Sequence, residues 1–319
     1  MNFFENARTG NNNWLLYVAL LISGFLISQA FAILCIGVCI ACYAIDHNRM
    51  EVRAVFRDFD SFLETTPGYA AGMLVFAAWM GATWFLFKKF HQRERMTLIS
   101  GERKLRKNYF LWGMLAYGVI MAAWPVFDIL SDPDCYTFNF KGLDFFVFLL
   151  LAIVLVPFQT GCEELIFRSY MMQGLGLCTR SKGWALVISS ILFGLLHCAN
   201  NEVVEYGFWK AIPIYVMAGL QLGLFAILTD GIEFSWGVHF INNLVGFVLF
   251  SNEGGTLSGN ALFIFKRDAI TAFDYIYPIV TTIIIYFALR KKMGWDIRKA
   301  FDNSGLQKTT PPPYMPQMS

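Results

Sequence analysis

Residues Leu143–Arg168 read LDFFVFLLLAIVLVPFQTGCEELIFR, an apolar run that ends on two adjacent carboxylates and, four residues later, an arginine. Charged groups are expensive in hydrocarbon: one such side chain at mid-bilayer costs roughly 2.5–3.5 kcal/mol even on the lenient translocon scale. Histidine is scarce, with four in 319 residues, and His197 and His239 lie in the apolar C-terminal half. With Glu163, Glu164, Arg168 and Asn243 they make a polar set within or against long apolar stretches. That placement points to an intramembrane hydrolase.

Composition sets the class. The chain is 56% hydrophobic and 15% charged, with mean hydropathy +0.50 and 32 phenylalanines, whereas a soluble domain carries about 25% charged residues. This is the composition of an integral membrane protein. A net charge of +2, with basic residues beside apolar segments rather than in a stripe, excludes nucleic acid as a partner and leaves membrane lipid. The seven cysteines fall at 35, 39, 42, 135, 162, 178 and 198. Their odd number and the absence of a CxxC pair indicate neither a disulfide scaffold nor a thiolate zinc site.

The fold expected is all-α, a polytopic bundle of about eight spans at roughly 14–42, 69–90, 108–129, 143–161, 184–200, 208–229, 235–250 and 273–290, each near the 20 residues a helix needs to cross. The first, at 29 residues, is too long for a signal-peptide core and reads as a retained span. The segments from 143 to 250 are interrupted by polar residues and glycines, as where helices line a cavity. Basic residues mark the cytoplasmic side. Lys88–Lys107 and Arg290–Lys292 fall on one side by parity, putting both termini in the cytoplasm. The acidic connections Asp128–Asp134 and Glu202–Glu205 then lie outside. So does the 46–66 loop, despite Arg49, Arg53 and Arg57.

The organisation expected is a cytoplasmic segment 1–13, N-terminal membrane helices 14–142, a catalytic core 143–250, a final loop and helix 251–292, and a disordered Pro-rich tail 293–319 whose end carries a PPPY run. The setting expected is a bacterial cytoplasmic membrane.

Three local patterns carry the chemistry. Glu164 and Arg168 are four apart, so on a helix they pair, and Glu163 is rotated about 100° to face a cavity. Phe193 precedes His197 by four, and His239 precedes Asn243 by four. Together they offer a carboxylate to take a proton from water, imidazoles to orient that water or bind a metal, and an amide to meet a developing oxyanion. The expected spans leave a conflict in depth. Glu163 and His239 sit at span ends, while His197 lies 13 residues beyond Trp184, about 20 Å along a straight helix. The three meet only if boundaries shift or the 161–183 segment dips into the bilayer, with Gly161, Gly174 and Gly176 permitting bends.

In order and spacing these patterns resemble the CAAX prenyl-protease and bacteriocin-processing family of intramembrane endopeptidases, the Abi or CPBP group. That group is marked by Glu-Glu-x-x-x-Arg, Phe-x-x-x-His and His-x-x-x-Asn motifs. The resemblance covers about residues 143–250 and is weak over the first 140 residues and the tail. It implies a cytoplasm-facing conical cavity, Glu163 as general base with His197 positioning the water, and His239 and Asn243 as oxyanion donors. Glu164 and Arg168 would be a supporting pair, with Phe193 beside them. It also leaves open a zinc form held by Glu163, His197 and His239, although no HExxH is present. Substrates would be membrane-associated, leader-type or prenylated peptides reaching the site laterally from lipid or through the cavity mouth. Nothing in the loops specifies a cleavage sequence or an oligomeric state. Two other classes compete. One is a transporter or ion- or lipid-binding protein, weakened by the lack of an inverted repeat between the halves. The other is a catalytically silent scaffold or immunity protein, which the intact motif residues disfavour.

Overall fold

A computed structural model describes residues 2–46, 65–132, 134–252, 261–266 and 269–307. The PPPY run and the 47–64 connection with its three arginines lie outside the described residues. The chain is almost entirely helical: α1 Trp14–Asp46, α2 Thr66–His91, α3 Lys107–Ser131 and α4 Leu143–Glu163 lead into a π-helical segment Glu164–Met171. There follow α5 Met172–Thr179, α6 Lys182–Leu195, α7 Asn201–Tyr206, α8 Phe208–Leu228, α9 Glu233–Val248, α10 Ala272–Met293, α11 Ile297–Ala300 and α12 Ser304–Gln307.

Among the described residues six helices are long and apolar enough to cross a bilayer, which makes this a polytopic helical membrane protein. They are α1, α2, α3, the continuous Leu143–Thr179, α8 and α10. Two of the eight expected spans fall short. α6 has 14 residues and α9 has 16, or about 21 and 24 Å, against a hydrocarbon core of about 30 Å. The 143–161 span does not stop where expected but runs on through 37 residues. α8 and Leu143–Thr179 are central, with 56% and 44% of their apolar windows buried, against 22% for α1, α2 and α10. The outer helices turn large side chains outward, such as Ile33 and Phe85, the surface that meets lipid.

Local signals start and stop these helices. Thr65 caps α2 by accepting from Gly68 N–H at 3.2 Å, with Pro67 in the first turn. Ser181 caps α6 in the same way, and Thr271 with Asp274 makes a capping box for α10, satisfying N–H groups that a helix start leaves open. Inside the bundle, polar side chains answer backbone carbonyls near the interior prolines: Gln221 donates to Pro278 O at 3.0 Å and Trp236 to Pro157 O at 3.1 Å. α9 packs along α3 and α4, α2 along α1 and α4, and α8 along α6.

Three expectations need correction. Among the described residues a small sheet accompanies the helices, in the order β1 (Tyr136–Phe138), β3 (Phe263–Phe265), β2 (Phe250–Asn252), with β3 antiparallel to β1 and parallel to β2. Three-residue strands are too short to show a period. The tail does not begin at 293: α11 and α12 are docked, with Leu306 buried beside Phe3 and Phe4, and Arg8 donating to Gly305 O at 3.1 Å. The glycines at 161, 174 and 176 serve close packing rather than bending. A Cβ on Gly161 would stand 2.6 Å from the Trp236 ring, and on Gly174 and Gly176 2.7 Å from Tyr17 and Phe4.

Gly161→Ala is therefore expected to lower stability by about 1–3 kcal/mol through overpacking against Trp236. Thermal unfolding in detergent reads this as a fall in Tm; an unchanged Tm would show that the Trp236 ring yields freely.

Candidate functional site

Glu163 ends α4 and Glu164 opens the π-helical turn that carries Arg168. Single π turns inside α-helices occur often at functional sites. The turn keeps the chain in one continuous helix, so Glu163 lies within that helix and not at its end. This shift of boundaries removes the conflict in depth. Glu163, His197, His239 and Asn243 all line one cavity of about 960 Å³.

Glu164 is fully buried and its Oε1 serves two partners, accepting from His239 Nδ1 at 2.9 Å and facing Arg168 Nε at 3.6 Å. Arg168 is 1% exposed. Its guanidinium stacks over the Phe193 ring at 3.9 Å, a cation–π contact strengthened by the lack of water. The expected Glu164–Arg168 pair thus forms, although on a π turn rather than an α turn. Because the ionised Glu164 can only accept, His239 must carry its proton on Nδ1. That directs Nε2 toward Glu163 Oε2, 3.5 Å away.

Phe193 has two roles that its sequence position does not reveal. Its ring is the platform for Arg168, and its carbonyl accepts from His197 Nδ1 at 2.8 Å. His197 therefore keeps its Nε2 lone pair for another partner. Its ring stacks on Tyr215 at 4.1 Å and 19°. Phe193 also meets both imidazoles, 4.7 Å from the His197 ring and 6.2 Å from that of His239.

Sequence reasoning missed Gln159. One turn before Glu163 on α4, it donates to Glu163 Oε1 at 2.5 Å and accepts from Asn243 Nδ2 at 2.9 Å. Asn243 Oδ1 in turn accepts from Asn242 at 3.0 Å. A relay Asn242–Asn243–Gln159–Glu163 holds the carboxylate through Oε1, while Oε2 makes no hydrogen bond and stands 3.5 Å from Nε2 of His239, itself anchored on Glu164. The signal was present, since Gln159 is four residues before Glu163, inside an apolar run. Tyr215 was also missed; it follows no motif and reaches His197 only through tertiary packing.

The possible zinc set does not fit this arrangement. Nδ1 of His239 and of His197 is held by Glu164 and by the Phe193 carbonyl, an anchoring that zinc ligands also use, so the decision rests on whether three donors converge. Among the described residues no three His, Cys, Asp or Glu side chains are placed to hold a metal ion together. What the geometry does supply is a carboxylate held at one oxygen, two imidazoles each anchored through Nδ1 and a primary amide, all lining one cavity.

Comparison with known proteins places the site in context. Residues 142–245, which hold every residue of the three motifs, match the family model described as type II CAAX prenyl endopeptidase Rce1-like. An uncharacterized protein, YyaK, of Bacillus subtilis (strain 168) is 33% identical over 162 residues, 50% of this chain and 54% of that protein. An uncharacterized protein of Mycoplasma capricolum subsp. capricolum is 27% identical over 114 residues, 35% of this chain and 31% of that protein. The chain thus spans about half the length of one curated relative and about a third of the other. No solved structure matches.

Arg168→Met would leave Glu164 as a buried charge facing one imidazole, and is expected to cost about 3–5 kcal/mol. The double substitution Glu164→Gln with Arg168→Met should recover part of that loss, since removing both charges is far cheaper than orphaning one. Equal Tm values for the single and double variants would show that the pair is not coupled.

Proposed function

We propose that this protein is an intramembrane endopeptidase of the CAAX-protease type, hydrolysing peptide bonds of membrane-associated substrates by attack of a water activated at Glu163. The observation that carries this reading is Glu163 at the wall of a large cavity, one oxygen held by Gln159 and the other left without a hydrogen bond 3.5 Å from His239. The match of residues 142–245 to the CAAX-endopeptidase family supports it.

In this mechanism Glu163 takes a proton from water held between it and Nε2 of His197, whose Nδ1 is committed to the Phe193 carbonyl. The hydroxide attacks the scissile carbonyl. His239 and Asn243 face the oxygen on which negative charge develops. His239 enters the step as an imidazolium, its Nδ1–H held by Glu164 with Arg168 behind it, so that its Nε2–H can donate to that oxygen. Glu163 then passes its proton to the leaving amine, so that water has been added across the C–N bond. Gln159 touches no reacting atom in this scheme and is a positioning residue.

Glu163→Gln should lower kcat by about 10²–10⁴-fold, the contribution of a positioned acid–base group. Asn243→Ala should cost about 10²–10³-fold, the value of one oxyanion donor. Gln159→Leu should reduce kcat with little change in KM. These are read with purified protein in liposomes and a quenched fluorescent peptide library with prenylated and unmodified members. A zinc chelator is expected to leave cleavage intact. Chelator-sensitive cleavage restored by zinc would overturn the water-and-carboxylate mechanism, and absence of cleavage by folded protein would favour a transporter or silent scaffold.

A further inference from the structure

We propose that the cavity opens on the extracytoplasmic face of the membrane, and that its substrates are peptide segments presented on that side. The statement about substrates rests on the peptidase reading above; the sidedness does not.

Tertiary contacts sort the connections into two ends. At one end Ser100 pairs with Gly231, Phe3 N–H donates to Asp230 at 2.7 Å, and Lys182 N–H donates to Asn303 at 2.9 Å. The N-terminal segment, the α2–α3 and α8–α9 connections, the α5–α6 turn and α11–α12 are thereby tied together. At the opposite end the small sheet joins the α3–α4 and α9–α10 connections, and Asn139 N–H donates to Leu262 O at 2.8 Å.

The charges of these ends differ in sign. The first carries Arg93, Arg95, Arg103, Lys104, Arg106 and Lys107 in one connection, Arg180 and Lys182 in another, and Arg290–Lys292 at the end of α10. The second carries Asp128, Asp132, Asp134, Asp144, Glu202, Glu205 and Asp274, against Lys141, Lys210 and Lys266 among its described residues, and by sequence the 47–64 connection adds Arg49, Arg53 and Arg57 beside Glu51, Asp58, Asp60 and Glu64. An excess of Lys and Arg in short connections marks the cytoplasmic side, so the first end is cytoplasmic.

The cavity belongs to the second end. Its rim is built from Asp128, Tyr136, Asn200, Glu202, Asn252 and Lys266, and among the described residues no lining group comes from the basic end. Below Glu163 and His239 the way to that end is closed. The Glu164–Arg168 pair is buried beneath them. Further on, Arg106 and Glu233 form a two-pronged ion pair at 2.9 and 2.7 Å, both buried. The floor is then sealed by Phe3 and Phe4 against Leu98 and Ile99. A cytoplasm-facing mouth, the expectation from family resemblance, would need the basic end outside. A lipidated C-terminus displayed in the cytoplasm would meet the sealed floor, whereas the extracytoplasmic end of a membrane-anchored peptide would meet the rim.

Two native thiols report on this directly: Cys198 is exposed at the rim end and Cys178 at the basic end. Spheroplasts expressing the protein are treated with a membrane-impermeant maleimide before or after permeabilisation, and modified cysteines are read by mass spectrometry of the purified chain. Cys198 should be modified in intact spheroplasts and Cys178 only after permeabilisation. Modification of Cys178 with protection of Cys198 in intact spheroplasts would overturn the proposal. If neither native thiol reacts before permeabilisation, Lys266→Cys and Lys104→Cys, both at exposed positions, decide by the same criterion. Labelling requires no activity, so a wrong sidedness and a wrong peptidase reading fail in different experiments.

Discussion

Everything in the site depends on a single buried carboxylate, Glu164. It has no solvent exposure, and its Oε1 faces both Arg168 and His239. A charge so placed is tolerated only when paired and hydrogen-bonded. Its partners are therefore as constrained as it is. Arg168 lies flat on Phe193, which in turn anchors His197, and His239 is left with Nε2 facing Glu163. Helices α4, α6 and α9 thus take their relative positions from polar contacts made where water cannot compete. The cluster of Cys162, Ile166, Phe167 and Phe193 behind the site supplies the dry environment that makes those contacts strong.

The sequence shows much of this, for definable reasons. Apolar runs of 20 residues or more are legible because a bilayer demands them, so α1, α2, α3, α8 and α10 were found close to their true limits. The motif residues stood out because each is costly where it sits. Boundaries within 143–250 were not legible. Glu163 and Glu164 look like a span end because charge usually marks one, but burial with Arg168 and His239 lets the helix continue through them to Thr179. α6 and α9 are too short to cross alone and are held by packing on α8, α3 and α4, a tertiary fact without a local signature. Gln159 is the instructive omission. An amide within an apolar run reads as an interruption; its spacing from Glu163 was legible, and only the meeting of α4 with α9 reveals its hydrogen bond to Asn243.

The two ends of the bundle differ in construction as well as in charge. The basic end is closed by backbone-level ties among segments far apart in sequence, including the first residues and the last described helices. Burial pushes the Asp230 carboxyl above its ordinary value, offset in part by the Phe3 N–H it accepts. The opposite end is capped by three short aromatic strands and short helices around the cavity mouth. A floor closed by these ties beneath the cavity mouth leaves the fixed chemical group reachable from one direction.

The most direct test of the central claim is single-turnover cleavage of a peptide in H₂¹⁸O, followed by mass analysis of the product and of the protein peptide containing Glu163. Water activated by Glu163 places one ¹⁸O in the new carboxylate of the product and none in the protein. Label found in the Glu163 side chain, with an unlabelled product carboxylate, would show that Glu163 attacks the substrate itself and would contradict the account.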